Sequence, residues 1–184
     1  MTSRKLRIDP LAEFEWTDEV REVLAARTRG GRILNIYTTL AHHPELLRRW
    51  LVFGSHVLGG STLSPRAREL VILRTGFRCG SEYEWGQHSV IARLVGISDE
   101  EIRRITAGPT APGWEPFEAV LLRAADELHD DHVISDATWG ALREQYDVKQ
   151  LLDLVFTVGQ YTMVSMALNT LGVQREEGVG GFPQ

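Results

Sequence analysis

The sequence has little cysteine, no strongly basic segment and no uninterrupted hydrophobic run, and each of these absences excludes a class of protein. Its 184 residues include one cysteine, Cys79, so an intramolecular disulfide is excluded and a reducing compartment is expected. Lysine and arginine total 20 against 25 aspartate and glutamate residues, and the basic residues are scattered, so nucleic acid is not expected as a partner. The segment MTSRKLRIDPLAEFEW has no apolar stretch after its basic residues, which predicts a cytoplasmic protein without a secretory signal.

The longest apolar run, at residues 151–173, is broken by Asp153, Gln160 and Asn169. Polar side chains at these positions disfavour a membrane span, so no membrane is expected as a partner. A helix that is apolar on nearly every side is instead typical of one that is buried between other helices or between subunits. The run therefore predicts a core or interface helix.

Helix starts and ends recur along the whole chain, whereas strand signals are weak, so the sequence predicts an all-α protein. Thr17, Ser64, Ser81, Ser98 and Ser135 stand where an N-cap is expected, because a hydroxyl there accepts a hydrogen bond from a free amide. Glycines follow several helices, with Gly30-Gly31 predicted to end the first. The predicted helices cover residues 17–28, 35–41, 44–58, 65–78, 82–95, 99–107, 118–130, 136–146 and 148–170.

The chain length and a hydrophobic content of 43% predict one globular domain. We divide the chain into an N-terminal extension with one helix at residues 1–34, a helical domain at 35–173 and a flexible tail at 174–184. The segment 108–116 carries three prolines and two glycines and is the only plausible linker.

The most informative stretch is residues 69–88, ELVILRTGFRCGSEYEWGQH, which predicts two helices joined by a tight turn. Glu84 and His88 are four residues apart, so they share one face of the second helix. Glu69 lies on the first helix, on the same face as Gly76, which would let another helix approach closely.

Two carboxylates and an imidazole that are partly shielded from solvent are the groups that general acid/base catalysis requires. Burial raises the pKa of a glutamate, whereas a neighbouring carboxylate favours the charged form of histidine. The same spacing also suits a core histidine that is only hydrogen-bonded to a glutamate. The residues alone leave both interpretations of His88 open.

The spacing E-x11-S-x2-E-x3-H, from Glu69 to His88, resembles the alkylhydroperoxidase D motif E-x11-C-x2-C-x3-H. Ser81 and Glu84 stand at the two cysteine positions. The segment ARLVGISDEEI that follows resembles the decarboxylase branch of the same superfamily. The chain thus resembles the carboxymuconolactone decarboxylase family over roughly residues 35–173, which implies an all-helical, alkylhydroperoxidase D-like fold.

The resemblance implies a lyase that uses acid/base chemistry, without cofactor or metal, to decarboxylate a small organic acid or lactone. His88 would be the proton donor or acceptor, Glu84 would orient and charge the imidazole, and Glu69 would relay protons or repel the substrate carboxylate. Ser81, Tyr83 and Tyr161 are further candidates for the substrate pocket. The resemblance also implies a homo-trimer or hexamer, with a dimer as the other possibility.

Two other functions remain open. A dithiol peroxidase mechanism is disfavoured because neither a serine nor a glutamate forms a disulfide, so a peroxiredoxin-type reaction would depend on the lone thiol of Cys79. A catalytically silent ligand-binding or assembly protein is the third reading. His129 and His132 lie close together in sequence, but no third metal ligand follows at a recognisable spacing, so a solvated helix end is the simpler interpretation.

Overall fold

The computed structural model describes residues 4–25, 27–29 and 32–183, and this part of the chain is almost entirely α-helical. The strands within it form one short antiparallel hairpin, β1 at Thr28–Arg29 and β2 at Arg32–Ile33. The predicted all-α fold class is therefore confirmed. The helices are α1 Asp18–Ala25, α2 Asn35–Leu40, α3 Pro44–Ser55, α4 Pro65–Arg78, α5 Glu82–Leu94, α6 Asp99–Ala107, α7 Pro116–Asp130, α8 Asp136–Arg143 and α9 Val148–Leu171.

Serine side chains cap three of the helices, as the sequence predicted. The hydroxyl of Ser64 accepts a hydrogen bond from the backbone N–H of Ala67, and Ser98 and Ser135 make the equivalent contact in α6 and α8. Ser81 makes no such bond at the start of α5. Its predicted capping role is wrong because the side chain is completely buried instead of turned back over the helix end.

Three helices end three residues earlier than predicted, and one of them is α8, which stops at Arg143. α1 stops at Ala25 because the chain then turns into the β1–β2 hairpin, and the predicted helix end at Gly30-Gly31 lies outside the described residues. α3 stops at Ser55, after which His56–Gly60 form a single π-helical turn. Val57 and Leu58 continue the apolar pattern of α3, so the sequence alone does not distinguish the π-helical turn from regular helix.

α4 is the central helix of the fold, because it packs against α5, α7 and α9. Four consecutive residues, Leu70 to Leu73, are fully buried. Leu70 and Leu73 pack in a cluster with residues of α5 and α6, Val71 packs with α7 and α9, and Ile72 packs with Tyr161 of α9. Burying each such side chain contributes roughly 1.5–3 kcal/mol, so neighbours on several sides stabilise this helix.

α4 and α5 approach each other closely at Gly76. A Cβ atom at this position would lie 3.4 Å from the Cβ of Glu84 and 3.8 Å from the backbone nitrogen of Trp85. The predicted close approach at Gly76 is therefore confirmed. It brings the side chains of the two helices together at the residues that carry ionisable groups.

By length and composition alone, α9 could cross a membrane. However, about half of its most apolar stretch is buried inside the fold. The buried side includes the polar residues Thr157, Gln160 and Ser165, which face other helices. The prediction of a helix buried between other helices is thus confirmed for this side. The opposite side carries exposed apolar residues: Leu152, Phe156, Met163 and Met166.

The C-terminal segment packs against the helices instead of extending as the predicted flexible tail. The ring of Phe182 lies 5.3 Å from that of Phe77 and 5.4 Å from that of Trp85, both measured between ring centroids. The chain passes so close to α5 that a Cβ atom on Gly86 would lie 2.5 Å from the carbonyl oxygen of Gly180. Aromatic packing in this arrangement holds the tail in place.

We expect Phe182→Ala to lower the free energy of unfolding by about 1–2 kcal/mol, because it removes two aromatic contacts and part of the buried area. Chemical denaturation followed by circular dichroism measures this change. Phe14→Ala is the matched control, because the ring of Phe14 is 89% exposed and its loss should change stability little. Equal stability of the Phe182 variant and the wild type would mean that the tail does not contribute to the fold.

We propose that a second copy of the chain covers the exposed apolar side of α9, since contiguous apolar patches of this kind mark association surfaces. The double variant Phe156→Asp, Met163→Asp should then shift the mass measured by sedimentation velocity from an oligomer to a monomer. Val133→Asp is the control, because Val133 is equally exposed but lies in the loop before α8. A wild-type protein that sediments as a monomer would contradict the proposal.

Candidate active site

Glu69 is a fully buried carboxylate on α4. One of its oxygens, Oε2, lies 2.7 Å from Nδ1 of His88, and the other, Oε1, accepts a hydrogen bond of 3.2 Å from Nε of Arg68. Burying a carboxylate costs free energy unless an ion pair and hydrogen bonds compensate for the lost contact with water. Both oxygens of Glu69 are therefore satisfied.

His88, on α5, lies between two carboxylates. Its Nε2 is 3.4 Å from Oε2 of Glu84, one helical turn earlier, while its Nδ1 contacts Glu69. The imidazole ring also packs edge-on against the ring of Tyr161, with 4.8 Å between the ring centroids and an interplanar angle of 87°. These three contacts fix the orientation of the imidazole and leave Nε2 on the side of Glu84.

The environment shifts the pKa values of both groups on α5. Burial by itself would lower the pKa of His88, but the carboxylates of Glu69 and Glu84 outweigh it, so this pKa lies above its ordinary value. Burial raises the pKa of Glu84, and the negative charges of Glu69 and Glu176 raise it further, against the opposing charge of His88. Perturbed pairs of this kind are typical of acid/base sites.

A cavity of about 110 Å³ opens beside these groups. Glu84, His88, Tyr83 and Tyr161 contribute to its wall, whereas Glu69 lies behind His88 and does not. Apolar side chains of α2, α3 and α5 make up much of the rest. Two larger hollows of about 420 Å³ each are lined by the C-terminal segment and by the groove between α3 and α9, and neither includes His88.

The structure places both predicted tyrosines at this cavity. The hydroxyl of Tyr83 donates a hydrogen bond of 2.7 Å to Glu176 and accepts one of 3.2 Å from the backbone N–H of Ile36. Burial raises the pKa of Tyr83, and burial together with the carboxylate of Glu84 raises that of Tyr161. Both phenols therefore stay neutral and form part of the cavity wall, and Tyr83 is also hydrogen-bonded.

Ser81 does not line the cavity. Its side chain is completely buried, and its hydroxyl has no hydrogen-bond partner among the described residues. The prediction that Ser81 belongs to the substrate pocket is therefore wrong. The tight turn between α4 and α5 directs this side chain into the packed interior, whereas Glu84, one turn later, faces the cavity.

Cys79 also lies away from His88. Its half-buried thiol is 3.6 Å from Nδ1 of His129 and 3.9 Å from the hydroxyl of Thr162, and it is absent from the cavity wall. Burial raises the pKa of the thiol, which lowers the fraction of reactive thiolate. Across the described residues, no three histidine, cysteine or acidic side chains are placed to hold a metal ion.

Sequence reasoning missed several polar residues at the site, including Gln87, which lines the cavity. Glu176 accepts hydrogen bonds from Tyr83 and Gln87, and Arg27 and Gln160 contribute to the cavity wall. Gln160 interrupts the longest apolar run of the sequence, and a polar residue within an apolar helix was the one local sign that it could belong to a site. Nothing local marks Arg27 or Glu176, because both lie outside the two helices that carry the motif.

Residues 44–127 match the sequence profile of the carboxymuconolactone decarboxylase family. No curated protein matches the chain.

Several solved structures share the fold. An alkylhydroperoxidase AhpD core protein from Ralstonia eutropha JMP134, described as an uncharacterized peroxidase-related protein, aligns with a TM-score of 0.81 at 19% identity, covering 93% of this chain and 92% of its own. An uncharacterized peroxidase-related protein from Silicibacter sp. TM1040 aligns with a TM-score of 0.78 at 17% identity over 99% and 98%.

The debrominase Bmp8, in complex with 2,3,4-tribromopyrrole, aligns with a TM-score of 0.77 at 12% identity over 96% of this chain and 95% of its own. Identities this low show a common fold and not a common reaction. Residues 44–127 are therefore similar to the carboxymuconolactone decarboxylase family, and the chain has the all-helical fold of the alkylhydroperoxidase D-like structures that it matches.

Proposed function

We propose that this protein is a cofactor-free acid/base enzyme that decarboxylates a small organic acid or lactone, with His88 as the proton donor. The observation that carries the proposal is a buried imidazole that is held between two carboxylates at the wall of a small cavity. A histidine with only a structural role needs one such partner and no access to a cavity.

The substrate carboxylate leaves as carbon dioxide, and the electron pair of the broken bond delocalises into a conjugated carbonyl. The imidazolium of His88 then donates its Nε2 proton to the substrate carbon and recovers a proton from solvent. Glu69, which hydrogen-bonds Nδ1, stabilises the charged imidazole before transfer. One proton is consumed for each carbon dioxide released.

Glu84 has a different part in this scheme because it lies on the cavity wall. In its ionised form, the carboxylate next to Nε2 favours the protonated imidazole and repels the substrate carboxylate that is to be lost. Repulsion of the reactant charge, which disappears as carbon dioxide forms, lowers the barrier to its loss. The dry surroundings strengthen both effects.

A thiol peroxidase has weaker support. The thiol of Cys79 contacts His129 instead of the Glu69–His88–Glu84 group, and its pKa is raised. Conversion of a hydroperoxide in the presence of a thiol reductant, lost in Cys79→Ser, would favour this function over decarboxylation.

We expect His88→Ala to lower the rate of decarboxylation by about 10²- to 10⁴-fold, the range typical for loss of a general acid or base. Release of carbon dioxide from a set of conjugated and β-oxo acids and carboxylated lactones is the measurement. His132→Ala is the control, because His132 is exposed at the end of α7. Far-ultraviolet circular dichroism tests whether both variants are folded.

An unchanged rate in a folded His88→Ala variant would remove His88 from the mechanism. If the wild type releases no carbon dioxide from any of these acids but binds one of them tightly and unchanged, the protein is a binding protein and the proposed reaction is wrong.

The pH dependence follows from the raised pKa of His88. Because the charged form is the proton donor, activity should persist above pH 6.5, the ordinary pKa of histidine, and fall as the pH rises through the raised value. Glu69→Gln removes the carboxylate that raises this pKa most, so the alkaline limb should move to lower pH. Titration of the His88 imidazole by nuclear magnetic resonance measures the same shift without turnover.

Glu144→Gln is the control for this titration, because Glu144 is exposed at the end of α8 and its loss should leave the pKa of His88 unchanged. The assigned roles of the carboxylates would be wrong if Glu69→Gln left the pKa of His88 in place or raised it.

A further inference from the structure

The described wall of the cavity beside His88 includes one arginine, Arg27, which the proposed chemistry does not use. Arg27 is the only arginine or lysine in the described part of the cavity wall. It lies in the N-terminal extension, outside the segment that matches the family profile. The backbone N–H of Arg27 donates to the carbonyl oxygen of Leu24, so the residue continues the turn that ends α1.

The extension that carries Arg27 is held firmly against the domain. Val20, Val23 and Leu24 of α1 are buried in a cluster with Leu47 and Leu51 of α3. α3 in turn contributes residues to the cavity wall. Packing of α1 therefore determines where the guanidinium lies.

Arg27 lacks the partner that a half-buried guanidinium normally has. Its Nε is buried without a hydrogen-bond acceptor among the described residues, and no described carboxylate forms an ion pair with it, although Glu84 lines the same cavity. A buried donor that is left unpaired costs about 1–3 kcal/mol. Such a cost is typical of a site that a ligand completes.

A second unpaired group lies in the same wall. The side chain of Gln160 is 4% exposed, and its Oε1 has no partner in the described part of the chain. Gln160, on α9, and His88, on α5, both contribute to the wall of this cavity. The cavity thus combines a proton-transfer group with two unsatisfied polar side chains.

We propose that Arg27 binds a carboxylate of the substrate that is retained in the product, and so selects anionic ligands. This inference rests on the proposed function for the identity of the reacting group. A guanidinium pairs with a carboxylate through two parallel hydrogen bonds, which a neutral amide cannot match. The retained group is the one to assign to Arg27, because an arginine on the departing carboxylate would stabilise the reactant more than the transition state.

The test is direct binding of non-reacting probes, measured by isothermal titration calorimetry. Propionate, butyrate and benzoate are the carboxylate probes, and their primary amides are the neutral counterparts. We expect the carboxylates to bind more tightly than the amides, and Arg27→Gln to weaken carboxylate binding by about 10- to 100-fold while leaving amide binding unchanged. Arg27→Lys should restore part of the affinity.

Two control variants separate this inference from the proposed reaction. Arg143→Gln removes an exposed arginine of α8 and should not change the binding of any probe. His88→Ala should bind the carboxylates through Arg27 even though it has lost turnover. If carboxylates bind through Arg27 while His88→Ala retains full activity, the proposed reaction fails and the anion site stands.

Equal carboxylate affinity in the wild type and Arg27→Gln would overturn the inference and leave the role of His88 untouched. The same conclusion follows if the amides bind the wild type as tightly as the carboxylates do, or if no carboxylate binds it at all.

Discussion

The hydrogen bond between Glu69 and His88 is the interaction on which the site depends. It joins two buried side chains on neighbouring helices, 2.7 Å apart, in surroundings where an unpaired charge would be costly. The bond joins α4 and α5 in a region where the two helices pack closely, since a Cβ atom on Gly76 would lie 3.4 Å from the Cβ of Glu84. Close packing of two helices and pairing of two ionisable groups are therefore one structural feature.

The two glutamates show how environment separates side chains of the same type. Glu69 is buried, pairs with Arg68 and His88, and does not line the cavity. Glu84 lies at the cavity wall, where burial and two other carboxylates raise its pKa. One carboxylate supports the imidazole, and the other faces whatever enters the cavity.

The termini of the chain complete a site that the central helices begin. Glu176, beyond the end of α9, accepts a hydrogen bond from Tyr83 and so fixes one wall of the cavity. Arg27, beyond the end of α1, contributes the cavity's guanidinium from the opposite end of the sequence. Proteins that are only 12–19% identical to this chain have the same helical fold. Different residues at positions outside the central helices allow one fold to accept different substrates.

Much of the fold follows from local chemistry and was predictable. Ser64, Ser98 and Ser135 begin helices because a hydroxyl pairs with a free amide a few residues away, and this requires no knowledge of the rest of the chain. The pairing of Glu84 with His88 follows equally from the helical repeat. Even the approach of another helix at Gly76 was visible in the sequence.

What the sequence determined by itself is thus the set of helices and the groups that share a helix face. The tertiary structure decided which of those groups face the cavity. It excluded Ser81, which has the right spacing but points into the packed interior, and it added Arg27, Gln160 and Glu176 from distant parts of the chain. The reason is physical: hydrogen bonds within a helix depend on neighbours in sequence, whereas a cavity wall depends on how separate helices pack, and no local pattern records that packing.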